Sequence, residues 1–498
     1  MVVSAPLQES PAKAHGSAAD LEPGKSLGDR LAGLTVLLVA VTAVPVVALV
    51  VPNTVSYVVA PALRDLGLEP GAAAGLVRAN GLALPALLLT VPISAVAARR
   101  VPAWLVLLAG LLCVLAGEIA AQFAGSVPVI GAVRVVQGVG AGVMLPATLI
   151  LVWERHGRAL IALWAGVFTA ALIIAMPAAM YAVPAAAGGD AAGGAAGDAD
   201  GAASGRWRAV LQPYPWLIGL ALGAVALLVI LRIWMKAGPL PVLRHTERTQ
   251  LLLPFVPAAG FAFLAVVTTY GWSPGAQLIV AGIGLAALLG LALAGFRNTA
   301  MGSPHGFAVV SLTTGLLTVP VAAPLTGLVS TESGPGGVPV APFAAGAAAA
   351  IAGALLTARL HEGGTRTAVL TGHGLVIIAV LVFLTTDATS STWLLAVPLS
   401  ALGAGIGTAL AASLRATGLG SALFGIALCF PAVLTGYLIV GPLQVAEVNE
   451  AVDAGGGRQE VVYALTSAFR VWLVVAGVIA VLMAGGAILA GRSRRVSS

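Results

Sequence analysis

The sequence predicts an all-α polytopic membrane protein of about fourteen transmembrane helices, arranged as two six-helix bundles with a two-helix insertion between them. Three observations carry this. Hydrophobic residues make up 59% of the 498-residue chain and charged residues only 9%, with a mean hydropathy of +1.02, a balance that a water-soluble domain does not show. Apolar runs long enough to cross a bilayer recur along almost the whole length. A weak internal repeat relates the two halves, the pattern expected of two homologous bundles.

In chain order, residues 1–30 are polar, rich in Ala, Pro and Ser, and charged with both signs, which predicts a flexible tail. Apolar runs follow near 32–60, 74–98, 103–124, 128–152, 159–184, 214–235, 251–270, 275–296, 306–330, 341–358, 367–386, 392–414, 419–442 and 463–490. These divide the chain into an N-terminal bundle at 31–236, an insertion at 237–300, a C-terminal bundle at 301–491 and a basic tail at 492–498. An even number of spans puts both termini on one side. The positive-inside rule makes that side cytoplasmic. One set of loops then holds Arg99, Arg100, Arg155, Arg158, Lys236, Arg244, Arg248, Arg297, Arg359, Arg366 and Arg415. The other set holds most of the acids, among them Asp65, Glu69, Asp190, Asp198, Asp200, Glu332, Asp387 and Glu450. A plasma-membrane location is the expectation.

Several function classes are disfavoured. The net charge of +6 reflects this topology and predicts no nucleic-acid partner. Cys113 and Cys429 stand far apart in apolar runs, so neither a disulfide framework nor a metal site is expected. His156, His245, His305, His361 and His373 are isolated, and no glycine loop with lysine is present to cradle a phosphate, so an enzyme, a cofactor or direct coupling to ATP is not expected. The stretch from Ala185 to Gly205 is almost all Ala, Gly and Asp and lacks the ligand spacing of a calcium loop.

The repeat aligns Val91–Gly110 with Gly353–Gly372, both running from an apolar helix through a short basic turn into the next helix. Nearly the same offset brings Gly138, Gly140 and Gly142 onto Gly403, Gly405 and Gly407. Glycines at such spacing let helix backbones approach closely.

Candidate site residues follow from the cost of charge in hydrocarbon. Arg134 lies inside an apolar run and needs a partner, a cavity or water. Its neighbours are Gln137, then Gly138, Gly140 and Gly142, and Pro146, which marks a bend. Counted along the spans at about 1.5 Å per residue, Asn53, Arg78, Glu118 and Arg134 share one level in the outer half of the first bundle. There Glu118 would neutralise Arg78 or Arg134, with Asn53, Tyr57 or Gln137 supplying hydrogen bonds. An alternative for the same residues is a structural ion pair, with Arg78 snorkelling to the surface. Arg470 falls within or just before the last span.

The stretch Arg134-Val135-Val136-Gln137-Gly138-Val139-Gly140-Ala141-Gly142-Val143-Met144-Leu145-Pro146 resembles the fourth-helix signature of major facilitator superfamily drug/proton antiporters. The turn from Arg359 through Glu362 and Gly364 to Arg366 looks like the second-half copy of that superfamily's basic loop motif. Arg206-Trp207-Arg208 followed by Pro213 and Pro215 is similar to the start of helix six in its fourteen-helix branch. The resemblance implies alternating access by rocking bundles around a central small-molecule site, protons as a coupling ion, and a monomer among membrane lipids. The first-half loop reads Ser94-Ala95-Val96-Ala97-Ala98-Arg99-Arg100-Val101-Pro102, so only basic character matches the motif. Of the fifth-helix antiporter motif only Pro177 is present, and the branch's acidic residue in helix one falls near Pro52 or Asn53. The resulting expectation is a secondary transporter, an efflux antiporter of the multidrug type exporting an amphiphilic or hydrophobic compound. Its alternative is a transporter-like membrane partner or assembly protein that does not transport.

Overall fold

A computed structural model of the protein describes residues 27–155, 157–183, 206–212, 214–234, 251–267, 272–297, 306–334, 337–361, 364–386 and 392–492. Its α-helices are α1 (Leu27–Leu49), α2 (Val59–Asp65), α3 (Ala73–Gly81), α4 (Ala83–Ala97), α5 (Ala103–Gln122), α6 (Val127–Trp153), α7 (Arg158–Tyr181) and α8 (Pro215–Trp234) in the first half. Next come α9 (Phe255–Val267) and α10 (Pro274–Arg297), then α11 (Phe307–Leu317), α12 (Val319–Ser333), α13 (Ala341–Ala358), α14 (Thr365–Thr385), α15 (Ala396–Arg415), α16 (Leu419–Asp453) and α17 (Arg458–Arg492). Among the described residues, thirteen helical spans are long and apolar enough to cross a membrane, and Phe255–Val267 is a shorter apolar helix. The chain is an integral multi-pass membrane protein.

The first bundle is built on α6, against which α3, α4 and α5 pack, with α1 lying between α7 and α8. The second is built on α15, gripped by α13 and α14, while α16 packs on α11 and α17 on both α14 and α16. Close backbone approach explains the glycine pattern. A Cβ placed on Gly140 would lie 2.6 Å from the Gly110 carbonyl oxygen, and one on Gly405 would lie 2.7 Å from that of Gly372. These two contacts are related by the offset that aligns the halves, so the repeat seen as sequence recurs as the same helix crossing in each bundle.

The bundles meet chiefly where α7 packs on α13, α15 and, less extensively, α12, and also where α4 meets α16 in a second seam. The insertion straddles that second seam, with α9 on α4 and α10 on α16. Three spans are interrupted. The first apolar run, expected to continue to 60, leaves the α-helix after Leu49 and turns at Pro52 into a 3₁₀ turn at Val55–Tyr57. The second divides at Leu82. The span after the insertion divides at Thr318, where Pro320 lacks the N–H that would continue the α11 ladder. Conversely α16 runs for 35 residues, about 50 Å at 1.5 Å per residue, well past the expected end at 442. A helix needs no bilayer to continue, and its last turns carry Glu447, Glu450 and Asp453.

Candidate functional site

Leu49 ends α1 and Gly81 ends α3, and each helix end leaves carbonyls with no N–H in the following turn. Both ends abut α6 at the level of Arg134. The guanidinium, only 2% exposed, donates to carbonyls at or just past these ends: Nη2 to the Val50 and Pro52 carbonyls at 2.8 and 3.2 Å, and Nε to the Asn80 carbonyl at 3.0 Å. Its Nη1 donates to Gln137 Oε1 at 2.9 Å. The negative ends of two helix dipoles therefore compensate this buried charge. That departs from the expected ion pair with Glu118, because Gln137 stands between the two groups. Its Nε2 donates to Glu118 Oε1 at 3.4 Å and to the Leu211 carbonyl at 2.7 Å.

Glu118 is 3% exposed, its Oε1 meets Gln137, and its Oε2 has no hydrogen-bond partner among the described residues. The Arg206–Leu211 turn closes over this corner: Gln212 Nε2 donates to the Glu118 carbonyl at 3.1 Å. That turn is held in place by Asp65, whose Oδ2 accepts from Trp207 Nε1 at 2.9 Å and pairs with Arg208 at 3.0 Å. Arg208 lies over the Trp207 ring. A buried carboxyl and amide are thus sealed by a short surface turn with the Arg208–Asp65 ion pair at its rim.

Of the polar residues expected at this level, the structure brings together Asn53, Glu118, Arg134 and Gln137. Asn53 Nδ2 donates to the Val77 carbonyl at 3.2 Å, and its Oδ1 accepts from Asn80 Nδ2 at 2.6 Å. Arg78 stands apart, its Nε donating to the Ala74 carbonyl of its own helix. Its side chain leans along α3 toward the surface, as long cationic side chains do. Tyr57 also turns away: its hydroxyl lies 3.3 Å from Ser330 Oγ in the second bundle. Asn80, 1% exposed, was missed by sequence reasoning; a lone polar residue within an apolar run was the available signal. Arg470 falls inside α17, on its exposed face.

Among the candidates for packing or gating, Gly138 and Gly142 face α4, where added Cβ atoms would strike Ala83 and Thr90, and Pro146 and Pro177 are buried inside α6 and α7. Arg99 and Arg100 form the α4–α5 turn, Arg359 ends α13, and Gly364 and Arg366 open α14, whereas Glu362 lies outside the described residues. In the second bundle Arg415 donates to the Thr357 and Leu360 carbonyls at the end of α13.

The seam between the bundles contains a further feature absent from the sequence reading. Trp164 and Phe168, one turn apart on α7, stack with centroids 5.4 Å apart, and Phe168 meets Phe430 of α16 edge-on at 6.2 Å. All three are fully buried, and Trp164 Nε1 donates to Thr148 Oγ1 of α6 at 3.1 Å.

No protein-family model and no curated protein matches the sequence. Solved structures do. One is a proton:xylose symporter, XylE, of the major facilitator superfamily, at 12% identity over 91% of this chain and 94% of that one, with a TM-score of 0.51. Another is a bacterial homologue of the human drug peptide transporters PepT1 and PepT2, at 13% identity over 94% and 99%, with a TM-score of 0.54. The fold is that of the major facilitator superfamily. At these identities the match is one of architecture.

Proposed function

We propose that the protein is a secondary active transporter that exports an amphiphilic or hydrophobic compound by alternating access. The observation that carries this is the fully buried aromatic group Trp164, Phe168 and Phe430 at the seam of two bundles. Aromatic faces flanked by apolar helices suit a substrate with a large apolar part and few polar groups. The bundles touch beside this group, where a Cβ on Gly166, between Trp164 and Phe168, would reach Ile351, and again toward the far end of α7, where Tyr57 meets Ser330 and Tyr181 donates to the Val338 carbonyl at 3.0 Å. The structural neighbours, one named as a proton:xylose symporter and one as a homologue of drug peptide transporters, support movement of a small molecule. The direction of export follows the antiporter-like stretch at Arg134.

Protons are the proposed coupling ion and Glu118 the proposed coupling carboxyl, because its Oε2 is buried and unpartnered among the described residues while the turn that seals it carries the Arg208–Asp65 ion pair. Arg134 and Gln137 position that carboxyl. Arg99, Arg100, Arg359 and Arg366 form the proposed cytoplasmic gate. A second reading, a membrane partner that no longer transports, is favoured by one observation: the Arg134 hydrogen bonds go to main-chain carbonyls at the ends of α1 and α3 and in the turn after α1, and to Gln137.

The test measures accumulation of amphiphilic dyes, drugs and lipid analogues in an efflux-deficient host, with and without an uncoupler. Wild type and equally expressed Phe168→Ala and Glu118→Gln variants are compared. Uncoupler-sensitive reduction of one compound, lost in Glu118→Gln and altered in its compound preference by Phe168→Ala, supports the proposal. No difference from the empty host for any compound, despite correct insertion, moves the partner reading ahead.

A further inference from the structure

The segment that seals Glu118 is held at two ends, and one of them is fastened to the helix that reaches the second bundle. At its start Trp207 and Arg208 bind Asp65, and Arg208 Nε donates to the Ala124 carbonyl at 3.1 Å. At its finish Gln212 donates to the Glu118 carbonyl at 3.1 Å, and two residues on, Tyr214 donates its hydroxyl hydrogen to the Ala178 carbonyl of α7. Ala178 lies in the last turn of α7, where carbonyls lack a partner N–H further along the helix. Tyr181, the last residue of α7, donates to the Val338 carbonyl of the second bundle at 3.0 Å. One short piece of helix, residues 178–181, therefore grips both the sealing segment and the second bundle.

The end of α7 is built to bend, and Tyr214 is set to respond. Pro177 lacks the N–H that would bond the Ile173 carbonyl, which leaves a weak point in the helix directly before this piece. Tyr214 has a φ of +52°, in the left-handed region that a bulky side chain rarely adopts. Its N–H bonds the Gln212 carbonyl at 2.9 Å, so the strained step is the one that carries the chain from Gln212 to the hydroxyl anchor. Such a conformation persists while contacts on both sides impose it. Freed from Ala178, the backbone at Tyr214 returns to negative φ and draws Gln212 off Glu118.

We propose that Tyr214 ties access to Glu118 to the contact between the bundles at this end of α7, so that the carboxyl meets water when Tyr181 leaves Val338. The inference rests on the reading of Glu118 as the coupling carboxyl. A proton from water then adds to one carboxylate oxygen with no other bond changing, and reclosure of the bundles seals it in. Tyr214 is a positioning residue that acts through Gln212. The anchors at Asp65 and Ala124 keep the start of the segment in place, so it swings at its Gln212 end and does not detach. A coupling group opened by the movement of the bundles is exposed in one state of the cycle and shut in the other, which alternating access requires.

The test needs no transported compound. Full-length protein with Cys113→Ala and Cys429→Ala carries Tyr181→Cys and Val338→Cys, and the two new thiols are joined by a short bifunctional reagent in lipid nanodiscs. The unjoined pair lacks the Tyr181 hydroxyl and stands for the parted contact. Hydrogen exchange in residues 206–212 and labelling of Glu118 by a water-soluble carbodiimide are read by mass spectrometry. Joining is expected to slow both by about fivefold, the equilibrium worth of one hydrogen bond. In Tyr214→Phe, which removes the hydroxyl and keeps the ring, and in Tyr214→Gly, which also relieves the backbone, both readouts are fast and indifferent to joining. Joined and unjoined protein that exchange and label alike overturn the proposal. So does an effect of joining that survives in both Tyr214 variants. Either result leaves the efflux comparison of wild type with Glu118→Gln standing, and failure of that comparison leaves these readouts unchanged, so the two readings fail separately.

Discussion

Replacing Arg134 with alanine separates a capping arginine from a substrate-binding one. The guanidinium gives four hydrogen bonds, to the carbonyls of Val50, Pro52 and Asn80 and to Gln137 Oε1. Its loss orphans four buried acceptors, at about 1 kcal/mol or more each, while removing a buried charge returns part of that. The net expectation is a destabilisation of about 3 kcal/mol. At roughly 2 °C per kcal/mol for a large domain, the apparent melting temperature falls by about 6 °C. Arg134→Lys carries a shorter reach and fewer donors, and recovers about half of that loss. Gln137→Leu, which leaves the three backbone carbonyls capped, costs about 1 kcal/mol. Thermal unfolding of purified protein in detergent, followed by intrinsic fluorescence, reads all three. An Arg134→Ala protein that melts with wild type yet fails to move a compound wild type moves would refute the capping argument and place the arginine on the substrate path.

Three further outcomes are expected. Gly140→Val and Gly405→Val each push carbons into a facing carbonyl closer than 3 Å, so both lower the yield of monodisperse protein on size-exclusion chromatography. An equal yield for either would mean that helix crossing is looser than described. Glu118→Gln keeps the Gln137 contact and changes stability by less than about 1 kcal/mol, but makes efflux insensitive to an imposed proton gradient in proteoliposomes; retained sensitivity removes Glu118 from coupling. Asp65→Asn breaks the Arg208 pair at the rim of the sealing turn, a partly exposed contact worth about 0.5–1 kcal/mol, and speeds hydrogen exchange in residues 206–212 without changing exchange in α15.

The sequence by itself determined that the chain lives in a bilayer, that its halves are related, and that Arg134, Gln137 and Glu118 belong to one neighbourhood. Each of these rests on a local cost or a local period: apolar length, glycine spacing along one helix, and charge inside hydrocarbon. What Arg134 binds was not legible, because its partners are main-chain carbonyls exposed only where α1 and α3 happen to end, and main-chain groups leave no trace in residue identity. The same holds for Tyr57, which sits one short turn from Asn53 yet reaches across to Ser330. Tertiary structure alone decided the aromatic contact of Phe168 with Phe430, since residues so far apart in the chain meet only when two bundles have been packed.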